Sequence, residues 1–183
     1  CQKCPKRYAR NGTDPDATQC RLCKLGETTT LKGSASCERC DLGKYGSNEG
    51  ECETCPAGYF QDTKGEKSCQ NCPVDTYLAL KGKSSKADCT LCSSDKSTGS
   101  TRGNIKESAC LCRRTDFYQG IQATCMSCPS GANCSKKDGM KLAELHALPG
   151  YWRPAPDSID FTSCSKQTKE KSHRCCPDGC VGL

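Results

Sequence analysis

Cysteine pairing constrains this chain more than any other feature. Its 183 residues contain 21 cysteines. Sixteen of them fall in pairs: Cys1/Cys4, Cys20/Cys23, Cys37/Cys40, Cys52/Cys55, Cys69/Cys72, Cys89/Cys92, Cys110/Cys112 and Cys125/Cys128. Cys134, Cys164, Cys175, Cys176 and Cys180 follow. Seven pairs are CxxC, Cys110/Cys112 is CxC, and the steps between pairs run from 15 to 21 residues. A fixed motif at such steps is an internal repeat with variable loops. A unit of that size must be held by something other than an apolar core. Only 34% of residues are hydrophobic, cysteine included, with three Phe, one Trp and two Met. Burial at roughly 25 cal/mol per Å² therefore cannot offset the lost chain entropy by itself.

The repeat carries more than cysteine. Pro follows directly at Cys4-Pro5, Cys55-Pro56, Cys72-Pro73 and Cys128-Pro129, and an aromatic comes soon after the second cysteine at Tyr8, Tyr45, Tyr59 and Tyr77. Small and polar residues precede the next pair, as in "KGSASC", "SNEGEC", "TKGEKSC" and "KSSKADC". Each unit reads as a short extended piece with one aromatic, a Gly/Ser/Lys turn, and a return to CxxC. The expected fold class is small and disulfide-rich: an elongated tandem array of short two-stranded β-ribbons with little helix. In such a rod-like stack each unit would touch mainly its neighbours.

Three chemistries could occupy the cysteines. Zinc is one, since Cys1/Cys4 with Cys20/Cys23 fits a C-x2-C-x15–20-C-x2-C site. A zinc site uses two pairs and stops, however, whereas these pairs run on ungrouped. The only histidines, His146 and His173, stand alone, though His173 lies near Cys175 and Cys176. Redox catalysis is another. It needs a CxxC at a helix N-terminus beside a βαβ unit, and none is readable here. No nucleophile triad, phosphate loop or carboxylate pair stands out, so the chain reads as non-enzymatic, with no cofactor. The third chemistry, a disulfide scaffold, fits a cysteine share of about 11%. Each bridge typically contributes ~2–4 kcal/mol, and such bridges persist in oxidising compartments. The expected location is thus extracellular or at the cell surface, through the secretory pathway.

Sequence alone does not settle connectivity. One scheme accounts for the counts by joining the second cysteine of each pair to the first of the next. It gives Cys4–Cys20, Cys23–Cys37, Cys40–Cys52, Cys55–Cys69, Cys72–Cys89, Cys92–Cys110 and Cys112–Cys125, with Cys128–Cys134 closing a last small loop. Cys1, Cys164, Cys175, Cys176 and Cys180 are left over, as in a segment cut from a longer ladder. An interlaced scheme, first-to-first and second-to-second across adjacent pairs, is the rival. Two N-glycosylation sequons fit the same compartment: Asn11-Gly12-Thr13 in a polar loop, and Asn133-Cys134-Ser135, where an early bridge at Cys134 would leave Asn133 bare.

The remaining features bound the partners. Net charge is +6 with the signs interleaved, which describes a solvated surface and no nucleic-acid footprint. The densest basic stretch, Lys166 to Arg174 with Glu170 as its one acid, reads as a polar loop; the sharper reading is a contact for heparan-like acidic partners. No run of 18 apolar residues suggests a span and no leader precedes Cys1, so membrane attachment would come from sequence beyond this segment. After Cys134 come 29 residues without cysteine, including "MKLAELHALPGYWRP". Leu142, Leu145 and Leu148 suit a short helix ended by Pro149-Gly150, with an extended piece nearly as good. Tyr151 and Trp152 would pack there as a small core, or else form a contact surface.

"CPAGYFQDTKGEKSCQNCPVDTY", residues 55 to 77, resembles the cysteine-rich repeat of the tyrosine-protein kinase ephrin type A/B receptor-like family. That family is of growth-factor-receptor, tumour-necrosis-factor-receptor and EGF-like style. "CSSDKSTGSTRGNIKESACLCRRTDFYQ", from Cys92, resembles the last unit of such a module, with Phe117 and Tyr118 after its CxC. The resemblance spans about residues 1 to 128. The tail, with its GYWR stretch and "CCPDGC", is similar to segments that follow such repeats in large surface proteins of unicellular eukaryotes. The expected organisation is tandem repeats over 1–112, a last repeat or transition over 113–134, and a cysteine-rich module over 135–183. The resemblance implies a membrane-anchored or secreted ectodomain without a kinase, serving as stalk, adhesion or receptor-like module. Its partner would be a protein or glycan, with Tyr151 and Trp152 as the contact if it is a ligand-binding array.

Overall fold

The computed structural model describes residues 3–10, 19–47, 50–119 and 124–164. Among them lie nine two-stranded antiparallel ribbons and no α-helix. The first five pair β1 (Tyr8–Ala9) with β2 (Arg21–Leu22), β3 (Glu27–Thr28) with β4 (Glu38–Arg39), β5 (Lys44–Gly46) with β6 (Cys52–Thr54), β7 (Tyr59–Phe60) with β8 (Gln70–Asn71), and β9 (Thr76–Tyr77) with β10 (Thr90–Leu91). The other four pair β11 (Lys96–Ser97) with β12 (Leu111–Cys112), β13 (Asp116–Gln119) with β14 (Thr124–Ser127), β15 (Ala132–Asn133) with β16 (His146–Ala147), and β17 (Tyr151–Trp152) with β18 (Thr162–Ser163).

Two-residue strands do not survive unaided in water. Here each of the first seven ribbons is closed by a cystine loop, Cys4–Cys20, Cys23–Cys37, Cys40–Cys52, Cys55–Cys69, Cys72–Cys89, Cys92–Cys110 and Cys112–Cys125, and in the eighth Cys128–Cys134 braces β15. In β2, β4, β8 and β10 the return strand is the dipeptide inside a CxxC. The first sulfur of that motif closes the loop behind it and the second opens the loop ahead. The buried hydrophobic residues are accordingly mostly half-cystines, with Cys55 and Cys72 fully enclosed.

The chain divides into two compact parts: Cys1–Leu91 with Ser100–Ala109, and Cys92–Gly99 with Cys110–Leu183. In the first part, main-chain hydrogen bonds connect each repeat to the next. The residue three after the opening cysteine takes a left-handed conformation at Arg7, Gly26, Gly43, Gly58 and Asp75. Its N–H reaches forward: Arg7 donates to Thr29 O (3.2 Å), Gly43 to Gln61 O (2.8 Å) and Gly58 to Leu78 O (2.8 Å). Each of these acceptor residues is buried, at the sixth position after its own cysteine. Gln61 and Leu78 pass the connection on, donating to Lys83 O and Asn104 O.

The repeats also touch beyond their immediate neighbours, which adds to the expectation of mainly neighbour contacts. The loop glycine Gly82 donates to Cys55 O, one repeat back, while its carbonyl lies against Gly43, two repeats back. Gly103 does the same with Cys72 O and Gly58, and Gly65 with Cys40 O and Gly26. At Gly58 the hydrogen that stands where a Cβ would be points at the Gly103 carbonyl, a weak Cα–H···O contact that admits no side chain. Sequence spacing cannot show this, because backbone meets backbone. Phe60, Leu78, Cys72 and Cys89 form the one apolar cluster of this part among the described residues.

The second part holds a side-chain core of Ala132, Cys134, Met140 and Leu145, flanked by Cys128, Leu142 and Phe161. The short helix expected over Leu142–Leu148 is a single 3₁₀ turn, Leu142–Glu144, followed directly by β16. Leu142 and Leu145 face the core because residues three apart lie one above the other in a 3₁₀ turn. Pairing with β15 then draws the chain into an extended path and leaves Leu148 exposed.

Candidate functional site

The described cysteines leave little room for metal or thiol chemistry. The eight bridges use sixteen of them, including Cys4, Cys20 and Cys23 of the zinc-like spacing. A sulfur in a disulfide is neither a thiolate ligand nor a nucleophile. Among the described residues no three His, Cys, Asp or Glu side chains are placed to hold a metal ion. His146 is exposed on β16 opposite Asn133. His173, Asn11, Cys1, Cys175, Cys176, Cys180 and the basic stretch from Lys166 lie outside the described residues. No described helix is long and apolar enough to cross a membrane.

An open depression of about 670 Å³ lies where β17 and β18 meet the turn at Ser130, lined by Ser130, Tyr151, Ile159, Asp160, Phe161, Thr162 and Ser163. Tyr151 reaches it because Gly131 has no side chain, and the tyrosine ring fills the space a Cβ would take. Tyr151 and Trp152 are half-buried and lie beside the core rather than within it, so the small core expected of this pair is built by Met140, Leu145 and Phe161 instead. Trp152 does not line the depression.

Sequence reasoning overlooked Arg153. Its Nε donates to Ser158 O (2.8 Å), its Nη1 donates to Leu145 O (3.0 Å), and its guanidinium lies 5.1 Å from the centroid of the Phe161 ring. One cation thereby fixes the loop between β17 and β18, and with it the wall of the depression. The only sequence signal is an arginine between Trp152 and Pro154. Among the described residues, Arg153 Nη2 and Trp152 Nε1 are buried without a hydrogen-bond partner.

Charges elsewhere sit on the surface. Lys64 Nζ donates to Asp41 Oδ1 (2.8 Å) and thereby holds the Asp41 carboxyl below its ordinary range. Glu144 is lowered first by the Lys141 backbone N–H and then by Lys137. Arg7 pairs with Glu51, and the Tyr45 hydroxyl donates to Glu53 Oε2 (2.7 Å), which raises the phenol.

Tandem cystine ribbons joined through backbone define a small disulfide-rich β-ribbon array. Residues 43–89 match the model of the family described as tyrosine-protein kinase ephrin type A/B receptor-like. The match covers Gly43, Gly58 and Gly82 and the bridges Cys55–Cys69 and Cys72–Cys89, and that family is a non-catalytic cysteine-rich module. No curated protein matches the chain. Module and disulfides together fit an extracellular, receptor-like segment.

Proposed function

We propose that this chain is a non-enzymatic extracellular spacer, a stapled segment that carries adhesive or receptor modules at a cell surface. The observation that supports it most directly is the double linkage of the first part. Successive repeats share a CxxC, and their backbones meet both one and two repeats away. Such a segment resists bending and stretching while its loops stay free to vary. Its partner is a protein or glycan.

The test is to pull single secreted molecules from their ends with and without reductant. Under oxidising conditions the loops of 12 to 18 residues closed by the first seven bridges cannot pay out, so extension is short; reduction releases them as extra contour length. Equal extension in both conditions would defeat the proposal. The same preparation, weighed before and after reduction and thiol alkylation, counts the bridges. Mostly free thiols with bound zinc would favour an intracellular zinc scaffold.

The depression at Tyr151 supports a second reading, a ligand-binding array. Labelled, secreted protein should then bind cell surfaces, and Tyr151→Ser should remove that binding. Equal binding by wild type and variant would end this reading.

A further inference from the structure

The geometry points to Asn133 as an N-glycan acceptor that is compatible with the Cys128–Cys134 bridge formed by the middle residue of its own sequon. This rests on the secretory-pathway reading above. Residues alternate sides along a strand. Ala132 and Cys134 are 6% and 4% exposed and face the core, so Asn133 between them faces outward. The sulfur of Cys134 thus turns toward Cys128 on one side while the carboxamide stands on the other. Asn133 Oδ1 accepts from the Ser135 N–H (3.0 Å) and from the Ser135 hydroxyl (2.8 Å). A backbone donor on Oδ1 fixes which end of the amide is oxygen. Nδ2 takes part in no hydrogen bond among the described residues. Ser135, Lys136 and Lys137 beyond it are exposed, which leaves room for a sugar.

The chemistry needs a polyprenyl-diphosphate-linked oligosaccharide and its transferase. Nδ2 forms a bond to the anomeric carbon, the bond from that carbon to the diphosphate oxygen breaks, and the diphosphate leaves with the electron pair. One Nδ2 proton passes to a base of the transferase. The Ser135 hydroxyl belongs to the acceptor motif itself.

The experiment expresses the full chain behind a cleavable secretion leader in a eukaryotic host. Non-reduced peptides are then treated with peptide-N-glycosidase in ¹⁸O water. The expected result is an ¹⁸O-labelled aspartate at position 133 in a peptide still linked through Cys128–Cys134. Ser135→Ala should abolish the label, and Ser135→Thr should keep or raise it. A bare Asn133 in secreted protein with that bridge closed would overturn the proposal. Labelling found only in a Cys128→Ser/Cys134→Ser variant would overturn it too, because sugar and bridge would then exclude each other. The leader supplies the compartment, so a bare Asn133 counts against the site, while the native compartment is judged separately by the bridge count.

Discussion

The two parts of the chain solve one problem differently. From Cys4 to Cys89 the interior is largely sulfur and main chain, with Phe60, Gln61 and Leu78 as its buried large side chains. From Ala132 to Phe161 it is a small side-chain core around Met140 and Leu145, with one bridge at its edge. Sulfur and glycine give a pattern that can be repeated, because each repeat brings its own closure. A side-chain core gives a module that cannot be extended, but it can shape a surface such as the depression at Tyr151. Repetition and relief therefore sit in different parts of the chain.

The sharpest way to break this contrast is to remove one staple. Cys72→Ser with Cys89→Ser opens a 17-residue loop and exposes the Phe60–Leu78 cluster. A loss of about 3–5 kcal/mol is expected, seen as collapsed secretion and early protease cleavage around residues 55–90. Next comes Met140→Ala, 1% exposed in the wild type. It should cost about 2–4 kcal/mol. Hydrogen exchange should rise in 128–164 and stay unchanged at Cys55–Cys72, and exchange rising equally in both would mean that the parts are not separate.

A smaller pair of variants isolates the backbone contact. Gly58 and Gly150 have nearly the same φ, 84° and 81°, but a Cβ at Gly58 meets Gly103 and one at Gly150 meets nothing within 4 Å. Gly150→Ala should cost roughly 1 kcal/mol, the left-handed penalty alone, and Gly58→Ala measurably more in thermal unfolding. Equal costs would remove the packing role assigned to the glycines.

The smallest effects are electrostatic. Both Asp41 and Glu144 have depressed folded pKa values. Their contributions are therefore present above the unfolded carboxylate pKa and fade as pH falls through the folded one. In an NMR titration Lys64→Met should return Asp41 toward its ordinary value, because the Lys64 hydrogen bond is the leading cause. Lys137→Met should leave Glu144 still lowered, because the Lys141 backbone N–H leads there.

The ribbons were readable because their signals are local: a CxxC, an aromatic, a Gly/Ser turn. The left-handed third position is visible where it is Gly26, Gly43 or Gly58. It is hidden at Arg7 and Asp75, which take the same conformation without advertising it. Contacts two repeats apart left only the glycines that admit them, since main-chain atoms name no partner. In the tail the spacing of Leu142 and Leu145 marked the inward face, but a period of three fits a helix and a 3₁₀ turn alike. Pairing of β16 with β15, beside the Cys128–Cys134 bridge, decided between them. Arg153 escaped notice because its role depends on Phe161 and on carbonyls of distant residues.

The reach of Gly82 and Gly103 has a consequence for synthesis. A chain emerging from its N-terminus can close each cystine loop almost at once, since none of the eight bridges spans more than 18 residues. Yet Gly58 finds its last neighbour only when Gly103 has been made. Oxidation would run ahead and compaction would trail it by about two repeats, so the newest stretch of the growing chain is covalently correct before it is fully packed. The staples of the repeats that hold Gly26, Gly43 and Gly58 would accordingly stay open to thiol exchange for the time it takes to make two more, an interval in which a wrong pairing can still be exchanged.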